Sequence, residues 1–273
     1  MLRETQGLCL VTVIIPVFNG MKFLEETVKS VQTQTYRNLE ILIVDDCSTD
    51  DTADLASKLA KKDTRIKFVQ LDANCGGPAG PRNVGLLSAQ GDFVAFCDAD
   101  DLWAENKIER QLSVLRSQKV SVVGGGLQNF RGRRPELLES GLREKPELFS
   151  RVSFWGTLMN SNLRISSLMI ETKLARGIMF DESRHVQARE DYLFVLKATE
   201  RSVSAIKLNS VLGGYRVHDK QISSNKISML VKHFRVLFFY QLDNQRRIGF
   251  FAFPFTLSHF VLAFWKHVSG KPF

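Results

Sequence analysis

Four short apolar runs, separated by polar or Gly/Pro-bearing loops and stretches of helical periodicity, set the strongest limit on how this chain folds. They are Val11-Thr12-Val13-Ile14-Ile15-Pro16, Glu40-Ile41-Leu42-Ile43-Val44, Ile66-Lys67-Phe68-Val69 and Phe93-Val94-Ala95-Phe96. Runs of this length, rich in β-branched residues, read as strands buried on both faces. Between them Phe23, Leu24, Thr27, Val28 and Val31 recur at helical spacing, as do Ala53, Leu55, Ala56 and Leu59, which marks amphipathic helices. A Gly/Pro loop from Asn74 to Pro81 precedes a third helix around Val84 to Leu87. Strands alternating with helices predict an α/β fold with a mostly parallel central sheet flanked by helices.

Farther along, Ile108, Leu112 and Leu115 predict another helix. Val120-Ser121-Val122-Val123 and Leu168-Met169-Ile170 predict strands, and Glu190 through Leu196 and Ala198 a helix. The stretch from Phe130 to Ser150, rich in Arg, Glu, Gly and Pro, reads as an excursion that can close over a ligand, or as a solvated loop. Trp103 reads as a core anchor at least as readily as the floor of a ligand pocket. The length of 273 residues suits one large α/β domain with a small appendage.

Apolar residues make up 44% of the chain and charged residues 24%, which excludes wholesale disorder and a polytopic membrane protein. Cys9, Cys47, Cys75 and Cys97 form no Cys-x-x-Cys pair, so neither a zinc site nor a dense disulfide framework is expected. A reducing cytoplasm suits that pattern, and Met1 to Thr12 hold no long apolar segment of the kind a secretion signal needs. The net charge of +8 gathers at the C-terminus: from Lys226 onward seven Lys or Arg face the single acid Asp243, among twelve aromatic residues. The run from Gly249 to Trp265 is marginal in length for a membrane span. Helices lying on the membrane surface, with Lys232, Arg235, Arg246, Arg247 and Lys266 toward anionic lipid, fit the charge pattern better. A helical lid or a homodimer contact is the alternative.

The acids of the first half follow strands. Asp45 and Asp46 end the second apolar run, and Asp98, Asp100 and Asp101 come after the fourth. Ligands of open α/β sheets bind outside the carboxyl ends of the strands. Carboxylates held together repel and rise in pKa unless something compensates. A hard divalent ion, which takes oxygen ligands and shares them with phosphates, compensates the pair Asp98-x-Asp100. The other reading is local, since Asp favours turns and helix caps. Neither Gly-x-Gly-x-x-Gly after the first run nor Gly-x4-Gly-Lys-Ser/Thr occurs, so dinucleotide and P-loop sites lack their fingerprints.

Taken in order, Pro16-Val17-Phe18-Asn19, Asp45-Asp46-Cys47-Ser48-Thr49-Asp50, Gly76-Gly77-Pro78-Ala79-Gly80-Pro81-Arg82-Asn83, Gly91-Asp92, Asp98-Ala99-Asp100-Asp101 and Glu190-Asp191 form one array. It resembles the family 2 glycosyltransferases over about the first 220 residues, and several independent signals agree on one fold. The resemblance implies a GT-A type fold. Residues 1–101 would form the nucleotide-sugar and metal side, 102–220 the acceptor side with the base, and 221–273 a helical extension. It implies that Pro16, Asn19 and Asp45 meet the nucleoside, that Asp46 supports that pocket, and that Arg82 lies beside the nucleotide. Asp100 is the stronger candidate for ligating Mg²⁺ or Mn²⁺. Asp98 would contact the sugar or ribose as well as the metal, His218 is a further metal candidate, and Asp101 supports the loop. Cys75 and Pro81 depart from the family's usual loop.

Asp191 is implied as the base that deprotonates the acceptor hydroxyl, with Glu190 assisting, although acids at a helix start also arise from the helix dipole alone. The implied enzyme is an inverting glycosyltransferase. It moves one hexosyl or N-acetylhexosaminyl unit from a nucleotide-diphospho-sugar, UDP being favoured by family frequency, to a saccharide acceptor in bacterial polysaccharide synthesis. If the tail lies on the inner face of the cell membrane, the acceptor is lipid-linked. Gln245-Arg246-Arg247-Ile248-Gly249 is not the Gln-x-x-Arg-Trp element of processive synthases, so single-sugar transfer is expected. Nucleic acid is not an expected partner. The competing classes are a nucleotide-sugar-binding or scaffold protein of the same fold, against which Asp98, Asp100 and Asp191 argue, and a nucleotidyltransferase.

Overall fold

The computed structural model describes residues 9–132, 135, 147–160, 163–202, 204–218, 226–243, 247–258 and 261. Its first half follows the predicted alternation: β1 (Val11–Val17), α1 (Leu24–Gln32), β2 (Leu39–Asp45), α2 (Thr52–Lys62), β3 (Ile66–Gln70), α3 (Ala79–Ser88) and β4 (Phe93–Phe96). β1 and β2 are buried at every position because helices cover both faces of the sheet. Val11, Val13 and Ile15 join one core with α1 and α2, whereas Ile14 joins the other with Leu86 of α3, the alternation that a strand's two-residue period requires. Gly85 lets α3 lie close on β1, since a Cβ there would come within 2.5 Å of Ile14 Cγ2. α3 begins at Ala79, so Pro81 belongs to its first turn and not to the preceding loop. A proline is tolerated there because the missing N–H has no partner within the helix.

The sheet order is β3-β2-β1-β4-β8-β6-β9-β5, with β7 beside β9. The strands β3, β2, β1 and β4 are parallel, and β2 and β4 flank β1. The loops after β1, β2 and β4 therefore open at one end of the sheet, around the point where the strand order reverses. Beyond β4 the sheet becomes mixed. β8 (Met169–Glu171) runs antiparallel to β4 and to β6 (Val122–Phe130). β6 pairs in parallel with β9 (Ala205–Arg216), and β5 (Leu102–Trp103) and β7 (Phe149–Val152) pair antiparallel with β9. β6 continues past Val123 through Gly124-Gly125-Gly126, where Leu163 and Leu212 occupy the room that side chains at Gly124 and Gly125 would take.

Trp103 is fully buried and its Nε1 donates to Ser166 O at 3.0 Å, so it anchors the core and floors no pocket. The remaining helices are α4 (Lys107–Gln118), α5 (Phe154–Met159), α6 (Thr172–Ile178), α7 (Glu190–Arg201) and α8 (Lys226–Phe239). α8 is not a detached tail: Val236 and Leu237 share a core with Leu193 and Leu196 of α7 and Leu158 of α5. Among the described residues no helix is long and apolar enough to cross a membrane. Most of the 130–150 excursion, together with Gln245, Arg246, Trp265 and Lys266, lies outside the described residues.

Candidate active site

The loops after β1, β2 and β3 are stapled to one another by residues that the sequence singles out. Pro16 lies in β1 opposite Val44. Asn19 adopts φ +50°, a left-handed conformation that Asn tolerates better than most residues. Its Oδ1 accepts from Thr49 N at 2.8 Å and its N–H donates to Ser48 Oγ at 2.9 Å. Asp45, fully buried, accepts from Ser48 N at 3.1 Å and from the Ser48 hydroxyl. Asp46 Oδ1 accepts from Cys75 N at 2.8 Å, and Asp46 O accepts from Asn74 Nδ2 at 2.9 Å. Burial, and after it the Asp46 carboxylate, pushes the Cys75 thiol up to about 11.

The acid loop follows β4. Asp98 Oδ1 accepts from Arg82 Nη2 at 2.7 Å. Arg82 is only 3% exposed, its Nε and Nη1 have no hydrogen-bond partner among the described residues, and its Cζ lies 5.3 Å from the centre of the Phe180 ring. Asp100 Oδ2 sits 2.9 Å from His218 Nε2. Burial, then the charge of Asp98, raises the Asp100 carboxyl above its ordinary range. Asp101 is raised further, by burial and then by Asp98 and Asp100. Asp101 Oδ1 accepts from Arg216 N at 3.0 Å, Arg216 Nε donates to Asp100 O at 2.8 Å, and Arg216 Nη2 meets Glu26 Oε2 at 2.6 Å. The end of β9 thus braces the acid loop from below.

The residues present suit a divalent cation. Asp98 and Asp100 crowd two carboxyl groups into a partly buried loop, a repulsion that a cation relieves. Among the described residues no group of three or more His, Cys, Asp or Glu side chains stands in metal-holding geometry. An ion here would complete its shell from phosphate oxygens and water, as Mg²⁺ commonly does.

Glu190 and Asp191 open α7. Asp191 is half-buried and its Oδ1 accepts from Tyr192 N at 2.6 Å. Glu190 is 6% exposed, its Oε2 is buried without a hydrogen-bond partner among the described residues, and burial followed by the Asp191 charge raises its pKa. Arg82 joins the two acid groups. Burial disfavours its charge, but Asp98, then Asp191 and Glu190, outweigh that and hold the guanidinium firmly protonated.

Two arginines at this end of the molecule carry no assignment from the sequence. Arg164 and Arg189 are both pushed below the ordinary arginine range by burial, and the Asp191 charge acts on each. Arg164 Cζ lies 4.6 Å from the centre of the Tyr215 ring, and Arg189 Nη2 donates to Met229 O at 3.3 Å. Arg164 sits in a loop without a motif and leaves no signal; for Arg189, adjacency to Glu190 is the one clue.

A parallel switch-point sheet with this acid array defines a GT-A type fold. The family model Glycosyl transferase family 2 matches residues 12–168, and the chain belongs to that family of glycosyltransferases. It is 32% identical over 228 residues to the UDP-Glc:alpha-D-GlcNAc-diphosphoundecaprenol beta-1,3-glucosyltransferase WfaP of Escherichia coli, covering 84% of this chain and 85% of that one. Among solved structures, S. aureus TarS 1-349 in complex with UDP matches with a TM-score of 0.64 at 25% identity, over 83% of this chain and 64% of that one. The chain therefore spans under two thirds of that TarS structure. Mannosyltransferase PcManGT from Pyrobaculum calidifontis, in complex with GDP-Man and Mn²⁺, shares the fold with a TM-score of 0.63 at 20% identity, over 91% of this chain and 68% of that one.

Proposed function

We propose that the chain transfers one sugar from a UDP-sugar, with inversion, to a saccharide carried on a lipid diphosphate in bacterial surface-polysaccharide synthesis. The observation that carries this reading is Arg82, 2.7 Å from Asp98 and under the charges of Asp191 and Glu190, which ties the donor-side acid to the base pair. Pro16, Asn19, Asp45 and Asp46 frame the nucleoside pocket, and Arg82 and Asp98 face the sugar diphosphate. Asp98 and Asp100 would hold Mg²⁺ or Mn²⁺, and His218, its ring nitrogen 2.9 Å from Asp100, is the further candidate ligand. When bound, such an ion would supply positive charge opposite the departing nucleoside diphosphate; PcManGT, of the same fold, is in complex with Mn²⁺ and GDP-Man.

Asp191 takes the hydroxyl proton as the acceptor oxygen attacks the anomeric carbon. Glu190, whose pKa is raised by burial and then by the Asp191 charge, assists beside it. A single displacement inverts the anomeric carbon, so an α-linked donor gives a β product, the anomer in the name of WfaP. The lipid-linked acceptor rests on that name and on the basic, aromatic extension, which we place against the inner face of the membrane. The test is a panel of UDP-, GDP- and dTDP-sugars with Mg²⁺, Mn²⁺ or EDTA, read as nucleoside diphosphate release and product mass on a lipid-linked acceptor. Release from a UDP-sugar that EDTA abolishes is expected. Pyrophosphate released from a nucleoside triphosphate would favour nucleotidyl transfer, and silence with every donor a binding module.

A further inference from the structure

Apart from the carboxylate site, α7 and α8 enclose a cavity of about 530 Å³. On α7 Leu193, Lys197 and Arg201 follow one another at four-residue spacing along one wall, which places them on one helix face. Arg235 and Phe239 of α8 line the opposite wall, and His185 comes from the loop before α7. None of the cavity's lining residues belongs to the donor, metal or base cluster described above. Its cations are not equivalent. Arg201 is engaged, with Nε 3.1 Å from Asp243 Oδ1 and Nη1 2.8 Å from Gly177 O. Lys197, Arg235 and His185 have no hydrogen bond or ion pair among the described residues. The other lining acid, Asp181, accepts from Ser183 N at 2.9 Å.

One rim of the cavity is greasy. Phe239 is 61% exposed, Phe238 touches both Phe239 and Phe250 at ring separations of 5.2 and 5.5 Å, and Phe250, Phe251 and Phe253 stand 85%, 76% and 65% exposed. Aromatic exposure on this scale marks a surface that meets something apolar. Inorganic phosphate would use the cations and ignore the aromatics; a phosphate head on an acyl or isoprenoid tail uses both. Lys197 stands six residues beyond Asp191 on the same helix, ~9 Å of rise and about 120° around its axis. We infer that this cavity binds a lipid-borne phosphate or diphosphate through Lys197 and Arg235, an inference that rests on the lipid-linked acceptor reading above.

The test is titration of the full chain with farnesyl diphosphate, with UDP and Mg²⁺ saturating so that the donor site is filled. Binding is expected, tighter than that of inorganic pyrophosphate. The exchange of Lys197→Gln with Arg235→Gln should raise Kd about tenfold or more, as loss of charge-assisted phosphate contacts does, and Arg235→Lys should restore part of the affinity. UDP binding serves as the check on folding. Phosphatidylglycerol and phosphatidylcholine vesicles separate the sources. Farnesyl diphosphate bound in solution assigns an acceptor diphosphate, whereas charge-dependent binding to phosphatidylglycerol vesicles alone, lost in the double variant, assigns a membrane headgroup. The inference is overturned if neither probe binds, if the double variant binds as the parent does, or if UDP displaces farnesyl diphosphate. The readout needs no turnover, so binding here with no UDP released from any donor sinks the transferase reading and leaves the cavity site standing.

Discussion

The parallel half of the sheet, β1 to β4, and the mixed half that leads to α7 meet at one charge cluster but treat their polar groups in opposite ways. In the first, Asp45 is satisfied by Ser48, and Asp46 by Cys75 N. In the second, among the described residues, Glu190 Oε2 and Arg189 Nε are buried with no hydrogen-bond partner, as are two nitrogens of Arg82 and Asp101 Oδ2 at the seam. A buried polar atom left unpaired costs about 1–3 kcal/mol, and such groups in a native fold call for a ligand or a chemical role. The difference teaches that the first half is a finished frame, whereas the second holds groups in a state that favours chemistry over stability.

Substitutions can break that contrast. After loss of the base itself, the largest effect belongs to the seam: Asp100→Asn should lower kcat/KM about 10²–10³-fold, the scale of losing one electrostatic contact to the transition state, and flatten the Mn²⁺ titration of initial rates. Glu190→Gln comes next, with kcat down about tenfold or more and stability up. Its folded pKa lies above the unfolded one, so the stability it contributes is present below the unfolded pKa and lost as pH rises through the folded value. The variant should therefore match the parent in Tm near pH 4 and exceed it at pH 8; a lower Tm at pH 8 would erase the contrast between the halves.

In the frame the sign should reverse. Asp46→Ala frees Cys75 N and should destabilise by about 1–3 kcal/mol in urea unfolding, raising the donor KM without a matching fall in kcat. The smallest effect is expected at Lys107, buried against Trp103 with Nζ 2.7 Å from Gln111 Oε1 and lowered by burial to about 7. Its depressed pKa destabilises the fold most below pH 7, and the penalty fades as pH rises toward the unfolded value. Lys107→Met should stabilise by about 1–2 kcal/mol at pH 6 and by less at pH 10, as followed by thermal unfolding.

The same division decides what could be read in advance. β1 to β4 and their helices repeat within short stretches, so periodicity found them with only the start of α3 displaced. β9 left no such trace: Asn209, Ser210, Gly213 and Gly214 interrupt it, and it forms because β6, β5 and β7 pair along it. β6 runs through three glycines for a similar reason. Asp98, Asp100 and the Glu190-Asp191 pair stood out as candidates through motif order. The ion pair of Arg82 with Asp98 and the approach of Arg164 to Asp191 were not, because they depend on how distant segments pack.

The central claim is that donor binding and proton transfer are divided between these halves, and Asp191→Asn tests it most directly. With UDP binding and sugar transfer measured on the same preparation, the account predicts an unchanged Kd for UDP and transfer lowered about 10²–10⁴-fold, the range for a lost general base. Transfer persisting at the parent's rate, or lost only together with UDP binding, would contradict it.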